Sequence, residues 1–292
     1  MEHSIELRSL TKFYGQHRGI EAVDFSVRRG EVFGFIGPNG AGKSTAIRTL
    51  LGLLQPTSGS AAILGYDVSS DGVKARTSVG YLPSEVDYYQ EMTSRELLEY
   101  HAGLYGLSGY KERIEELAGY FELALDRPID DLSYGNKKKC AIIQAVLHAP
   151  EVLILDEPTG GLDPLMQNKF FDLLEELRDG GATIFFSSHI LSEIQRMCER
   201  AAIIRDGKIV AIEDISTLLA KQMKKVRLVL KSDASLEYPA GCQNVQQVKE
   251  KVSFDYVGPV SELVQWMSGL ELADVVMTEP DLESIFMNYY QR

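Results

Sequence analysis

The sequence predicts an α/β fold: a parallel sheet covered by helices on both faces, a helical insert within it, and a small α+β domain toward the C-terminal end. Three observations carry this. Short apolar runs at Glu31–Ile36, Val152–Leu155 and Ala182–Phe186 read as buried strands. Each ends abruptly in polar or glycine-rich residues: GPNGAGKST, Asp156-Glu157-Pro158 and Ser187-Ser188-His189. Helical patterns separate the runs, which is how a chain makes its strands parallel. Ligands of such sheets sit beyond the carboxyl ends of the strands, where all three polar segments fall.

Taken in order, the first strand runs through its glycine-rich loop into the helical pattern Ala46–Leu54, which Gln55-Pro56 stops. Thr93–Leu107, Tyr110–Leu125 and Asn136–His148 read as helices with few strand signals, so a helical subdomain is expected at about residues 85–149. Ala201–Ile204, the Asp206-Gly207 turn and Lys208–Ile212 read as a hairpin that closes the sheet. Helical Asp214–Lys224 then leads away, which puts a domain boundary near Lys221 and divides the chain into residues 1–221 and 222–292. In the second part Val226–Leu230, Val245–Val248, Val252–Val257 and Ala273–Met277 read as strands, and Val260–Ser268 and Asp281–Tyr290 as helices.

Composition narrows the function. Over 292 residues, 45% hydrophobic and 25% charged residues describe a packed globular protein. With 42 acidic against 30 basic residues, the net charge of −12 repels a phosphate backbone, so no nucleic-acid partner is expected. Cys140, Cys198 and Cys242 are odd in number and form no CxxC pair, which suits free structural thiols in a reducing cytosol. The N-terminal MEHSIELRSL is no signal segment, and no stretch approaches the roughly 20 apolar residues of a membrane helix. Any membrane role therefore runs through another chain.

Chemistry concentrates at the strand ends. Gly37, Pro38, Asn39, Gly40, Ala41, Gly42, Lys43, Ser44 and Thr45 have the spacing of a phosphate loop. Its glycines let successive N–H groups curl around phosphates, Lys43 reaches the β- and γ-phosphates, and Ser44 ligates Mg²⁺. Asp156 follows four apolar residues, where its carboxylate holds a Mg²⁺-bound water, and Glu157 beside it is placed to orient and deprotonate the attacking water. His189 at another strand tip can bond the γ-phosphate, whereas His3, His17, His101 and His148 are read as structural. Lys137–Lys139 reads as a solvated helix face. Tyr88 and Tyr89 suit either an interface or the core.

From about Ile5 to Ile212 the chain resembles the ABC ATPase family, with motifs in the family's order. GPNGAGKST is similar to Walker A, VLILDEP to Walker B, GGLDP with Asp163 to the D-loop, and SSH to the switch histidine. The segment Leu132-Ser133-Tyr134-Gly135-Asn136 resembles the signature LSGGQ, and Tyr14 matches the aromatic that stacks on adenine. The resemblance implies a phosphate-loop NTPase core with a helical insert and a small C-terminal α+β domain. It implies hydrolysis of ATP with Mg²⁺, a homodimer in which Ser133 and Gly135 of one copy meet the γ-phosphate held by the other, and a separate transmembrane permease. It also implies a cytoplasmic location peripheral to the inner face of the membrane. Tyr134 and Asn136 depart from the signature, and Ser84 stands where the family carries the Q-loop glutamine. Too short to span from Mg²⁺ to the membrane-facing loop, Ser84 must act through water or share the role with Glu85. The tail Glu279–Phe286 is similar to that of ATPases from bacterial exporters of drugs, antimicrobial peptides and cell-surface polymers. The alternative is a soluble ATPase of the same type that serves as an assembly scaffold.

Overall fold

The structure, a computed structural model, describes residues 2–86, 88, 91–220, 224–234 and 236–278. It divides into two compact units, Met1–Glu213 and Asp214–Arg292. The division falls ahead of the Lys221 expected from sequence, a residue that lies outside the described ones, as do Tyr89, the tail Glu279–Phe286 and the helix expected at Asp281–Tyr290.

The first unit begins with β1 (His3–Tyr14), β2 (His17–Arg28), β3 (Val32–Ile36), α1 (Lys43–Leu50), β4 (Ser58–Ile63), β5 (Tyr66–Asp67), α2 (Gly72–Thr77) and β6 (Val79–Leu82). A helical insert follows, with α3 (Ser94–Leu104), α4 (Tyr110–Phe121) and α5 (Tyr134–Val146). The sheet then resumes through β7 (Val152–Asp156), α6 (Pro164–Asp179), β8 (Thr183–Ser188), α7 (Leu191–Met197), β9 (Arg200–Arg205) and β10 (Lys208–Asp214). The six-stranded sheet has the order β10-β9-β3-β8-β7-β6, and its pairs β3–β8, β3–β9, β7–β8 and β6–β7 are parallel. Strands β3, β7 and β8 are buried along their whole length, which is why they read as unbroken apolar runs. At the Asp206-Gly207 turn both residues have positive φ, 48° and 73°, the combination that a two-residue hairpin turn demands.

A second sheet, order β2-β1-β4-β5, is antiparallel and was not foreseen from the sequence. Its strands alternate badly because they are bulged. Ser9 (φ 45°) and Ala22 (φ 47°) interrupt β1 and β2, and the β1–β2 register shifts between Leu7 and Leu10. Aromatic packing joins the two sheets: Phe25 of β2 stacks on Phe33 of β3 at 5.3 Å and on Phe185 of β8 at 5.7 Å between ring centroids. Removing such a ring typically costs about 3–5 kcal/mol.

The insert is anchored by its caps. Thr93 and Glu96 form a capping box at the start of α3, and Ser133 accepts the Asn136 N–H at the start of α5. The second unit contains α8 (Ile215–Ala220), β11 (Lys224–Leu230), β12 (Cys242–Val248), β13 (Lys251–Tyr256), α9 (Val260–Ser268) and β14 (Leu272–Thr278). Its antiparallel sheet has the order β12-β13-β11-β14. Leu263 and Met267, one helical turn apart on α9, join Val226, Leu228, Phe254 and Tyr256 in a core of their own.

A core confined to each unit leads to a first expectation. Residues 1–220 expressed alone should melt cooperatively, within about 5 °C of the corresponding transition of the full chain. Calorimetry of both proteins checks this, and an insoluble fragment would place part of the first unit's stability downstream.

Candidate functional site

Parallel strands bring their carboxyl ends to one edge of the sheet. There β3 delivers the loop 37–45, β6 delivers Pro83 and Ser84, β7 delivers Asp156 and Glu157, and β8 delivers Ser188 and His189. A cavity of about 580 Å³ opens at this edge, lined by Asn39, Gly40, Gly42, Lys43, Ser44, Thr45, Ser84, Glu157 and His189 together with Tyr14, Tyr134 and Thr159.

The loop's shape depends on glycine at two points. Gly42 has φ 107°, and a Cβ there would come within 2.7 Å of the Gly19 carbonyl oxygen. A Cβ on Gly37 would come within 2.5 Å of the Ile204 carbonyl oxygen. Because no side chain caps α1 after Gly42, the first-turn N–H groups remain available to an anion. Lys43, only 5% exposed, donates to the carbonyls of Gly37 at 2.7 Å and Pro38 at 3.2 Å, and its Nζ lies 3.2 Å from Glu157 Oε1.

Glu157 is bracketed by two basic groups, since His189 Nδ1 lies 3.3 Å from the same Oε1. Burial works against its ionisation, yet the hydrogen bond and charge of Lys43, followed by His189, outweigh burial and hold the carboxyl below its ordinary value. Its backbone is strained at φ 47°, a conformation in which its N–H donates to the Ser187 carbonyl at 3.0 Å.

Asp156 is fully buried. Ser187 Oγ donates to its Oδ1 at 3.2 Å, while Oδ2 has no partner among the described residues. Burial raises this carboxyl above its ordinary range, with the nearby hydroxyls of Ser44 and Ser187 pulling the other way. A buried carboxylate with an unpartnered oxygen beside a serine hydroxyl is a donor set that fits a hard divalent cation.

Other expected residues are placed differently. Tyr14 lines the cavity, 47% exposed, with Lys12 Nζ 5.6 Å from its ring centroid. Ser133 and Asp163 are exposed and outside the cavity lining, where they cap α5 and α6. Gly135 abuts Gly161, whose carbonyl oxygen would lie 2.8 Å from a Cβ added at Gly135. Tyr134 turns into the cavity, its hydroxyl donating to the Ser84 carbonyl at 3.3 Å.

The lysine run requires correction. Lys138 is fully buried, not solvated, and its Nζ donates to the carbonyls of Pro83, Ser84 and Glu157 at 2.9, 3.2 and 3.4 Å. Burial lowers its pKa to about 8, opposed by the charges of Asp156 and Glu157. Charge runs face water when nothing at hand accepts their protons, but here the ends of β6 and β7 supply three carbonyls. Sequence reading also missed Glu193 on α7, 7% exposed, which accepts from Thr159 Oγ1 at 2.5 Å and Ser188 Oγ at 2.7 Å and so fixes the loop that carries His189. Its only sequence signal was an acidic residue in a helical first turn. Tyr88 has a buried hydroxyl without a hydrogen-bond partner among the described residues, and all three cysteines are free thiols. His101, driven by burial to about 4, remains neutral.

The profile of the ABC transporter family matches residues 20–160. The probable multidrug ABC transporter ATP-binding protein YbhF of Escherichia coli is 37% identical over 214 residues, spanning 72% of this chain and 37% of that protein's length. The bacitracin transport ATP-binding protein BcrA of Bacillus licheniformis is 32% identical over 309 residues, spanning 98% of this chain and 97% of the relative. A solved structure described as the ATP binding subunit of an ABC transporter superposes with a TM-score of 0.70 at 35% identity, over 73% of this chain and 91% of the other.

The raised carboxyl pKa of Asp156 leads to a second expectation. Its charged form penalises folding above the folded-state value, and the penalty disappears below the ordinary 3.8. Asp156→Asn should therefore stabilise the ligand-free protein at pH 7, a gain that vanishes as pH falls below that ordinary value. Urea unfolding at both ends of the range checks it; an equal gain at both would assign the effect to packing.

Proposed function

The chain belongs to the ABC transporter family, and from that premise we propose that it hydrolyses MgATP to drive a separate membrane-embedded subunit that exports drugs, peptides or cell-surface material. The observation that carries the chemistry is the Glu157 carboxylate held between Lys43 and His189 at the mouth of a phosphate loop.

Phosphates enter against the N–H groups of residues 39–45 and compete with Glu157 for the Lys43 ammonium. As Lys43 turns to the phosphates, Glu157 loses the partner that most depresses its pKa and becomes a better proton acceptor. It then orients the attacking water and takes its proton, while His189 and Lys43 stabilise charge on the transferred phosphoryl group. Ser44 and Asp156 would hold Mg²⁺, with Ser84 reaching it through water; bound there, the ion would neutralise charge on the phosphate oxygens. Tyr14 offers its exposed ring to the adenine.

The exposure of Ser133 at the N-terminus of the 13-residue α5 supports a homodimer, in which that helix end meets the γ-phosphate held by a second copy. Asp163 would lie at the same interface. Between the end of β6 and the insert a second cavity of about 650 Å³ is lined by Tyr81, Tyr88, Tyr100 and Leu104, the last two 52% and 66% exposed, and supports docking of a membrane subunit there. No helix among the described residues is long and apolar enough to cross a membrane. The proposed location is the cytoplasmic face of the membrane, without a nucleic-acid partner. The relatives named for multidrug and bacitracin transport support a transporter over the scaffold alternative.

Glu157→Gln should cut turnover by about 10² to 10⁴. The same change should tighten ATP binding, because the competitor for Lys43 is gone, and should let ATP-bound dimers accumulate. Lys43→Ala should abolish binding. Calorimetry with MgATP and light scattering check these outcomes; weaker binding by Glu157→Gln would contradict the competition between carboxylate and phosphate.

A further inference from the structure

The first two turns of α5 carry two side chains, one helical turn apart, that reach the same peptide group. Tyr134 Oη donates to the Ser84 carbonyl at 3.3 Å, and Lys138 Nζ donates to that carbonyl at 3.2 Å and to the Pro83 carbonyl at 2.9 Å. Lys138 spends its remaining donor on the Glu157 carbonyl at 3.4 Å, so three ammonium protons meet three backbone acceptors. The tyrosine ring also covers Gly161, where a Cβ would come within 2.2 Å of Tyr134 Cδ1. Burying a lysine this fully costs several kcal/mol unless every donor is used. A neutral side chain would fill the same space more cheaply, so the charge calls for a reason.

We propose that Lys138 and Tyr134 are positioning residues that lock the signature helix to the phosphate-facing edge of its own subunit, through the backbone of Pro83, Ser84 and Glu157. This rests on the ATPase reading above. The Ser84 side chain is too short to reach far across the cavity it lines, and the carbonyl of the same residue is where both α5 side chains converge. A shift of the β6 end or of the Glu157 peptide, as phosphates and the attacking water take their places, is thereby passed to the N-terminus of α5. That helix end is the part of the molecule offered to the second copy. The strained peptide at Glu157, φ 47°, is held from both sides, by Ser187 at its N–H and by Lys138 at its carbonyl.

The test uses the full-length chain with Lys138→Met, which keeps the stem and removes the ammonium, Tyr134→Phe, and the double variant. Steady-state ATPase rates give kcat and KM, and calorimetry of each protein gives ATP affinity. Lys138→Met should lower kcat about 10-fold or more with ATP affinity within about twofold of wild type, because the phosphate loop is untouched. Tyr134→Phe should lower kcat by about two- to threefold, and the double variant by less than the product of the single losses, since both act on one carbonyl. Ethylammonium should restore turnover to Lys138→Ala, whereas ethanol of similar size should not. The proposal is overturned if Lys138→Met keeps kcat within twofold, if the two losses simply multiply, if affinity falls in step with rate, or if ethanol rescues as well as the cation. A wild-type chain that binds ATP but never turns it over would overturn the ATPase reading, and the proposal with it.

Discussion

Two adjacent carboxylates at the end of a fully buried strand are the constraint around which the first unit is arranged. Asp156 and Glu157 leave β7 where the sheet interior ends, and neither is tolerable there unless positive charge answers it. The fold brings basic groups from three directions: Lys43 from the loop after β3, His189 from the end of β8, and Lys138 from the insert. Each of those groups can arrive only because β3, β6, β7 and β8 run parallel and end on one edge. Topology and electrostatics are thus a single requirement.

The two carboxyls answer burial in opposite ways. Asp156, with hydroxyl partners and one unpartnered oxygen, has its proton affinity raised, which leaves it waiting for a cation. Glu157 is only partly buried and has Lys43 and His189 at hand, and its carboxyl is held below its ordinary value. A pair of neighbouring acids driven apart in this manner separates a cation-holding role from a water-orienting one. Exchange of partners at Lys43 then connects phosphate binding with the readiness of the base.

Where the buried strands are unbroken and end in charged or glycine-rich residues, the sequence was legible: β3, β7 and β8 were found from their apolar runs, and the groups at their tips from the glycine spacing and polar residues that end those runs. The antiparallel sheet was not, because bulges at Ser9 and Ala22 break the period-two pattern that would have revealed β1 and β2. The site shows the same division. Residues whose position at the sheet edge follows from their own strand or loop, such as Lys43, Asp156, Glu157 and His189, were readable. Lys138 and Glu193 were not, since each has a partner more than thirty residues away in sequence, Pro83 for the lysine and Thr159 for the glutamate, and a one-dimensional pattern registers a charge without registering what it bonds to.

The departures from the family's motifs become intelligible as a set when the two loops are considered together. A short side chain at Ser84 and a bulky one at Tyr134 are each awkward taken singly, because the first leaves space in the cavity and the second intrudes on it. In the folded chain they are neighbours, the tyrosine hydroxyl meeting the Ser84 backbone while its ring lies over Gly161. Gly161 tolerates that contact because it has no Cβ and adopts φ 81° without strain. Volume lost on one side of the cavity is therefore recovered from the other, and a link that a long side chain could make through its own atoms is made here through the main chain. A backbone carbonyl is a stiffer relay than a flexible side chain, since it moves only when its strand moves. Displacement of β6 and displacement of α5 consequently become one event.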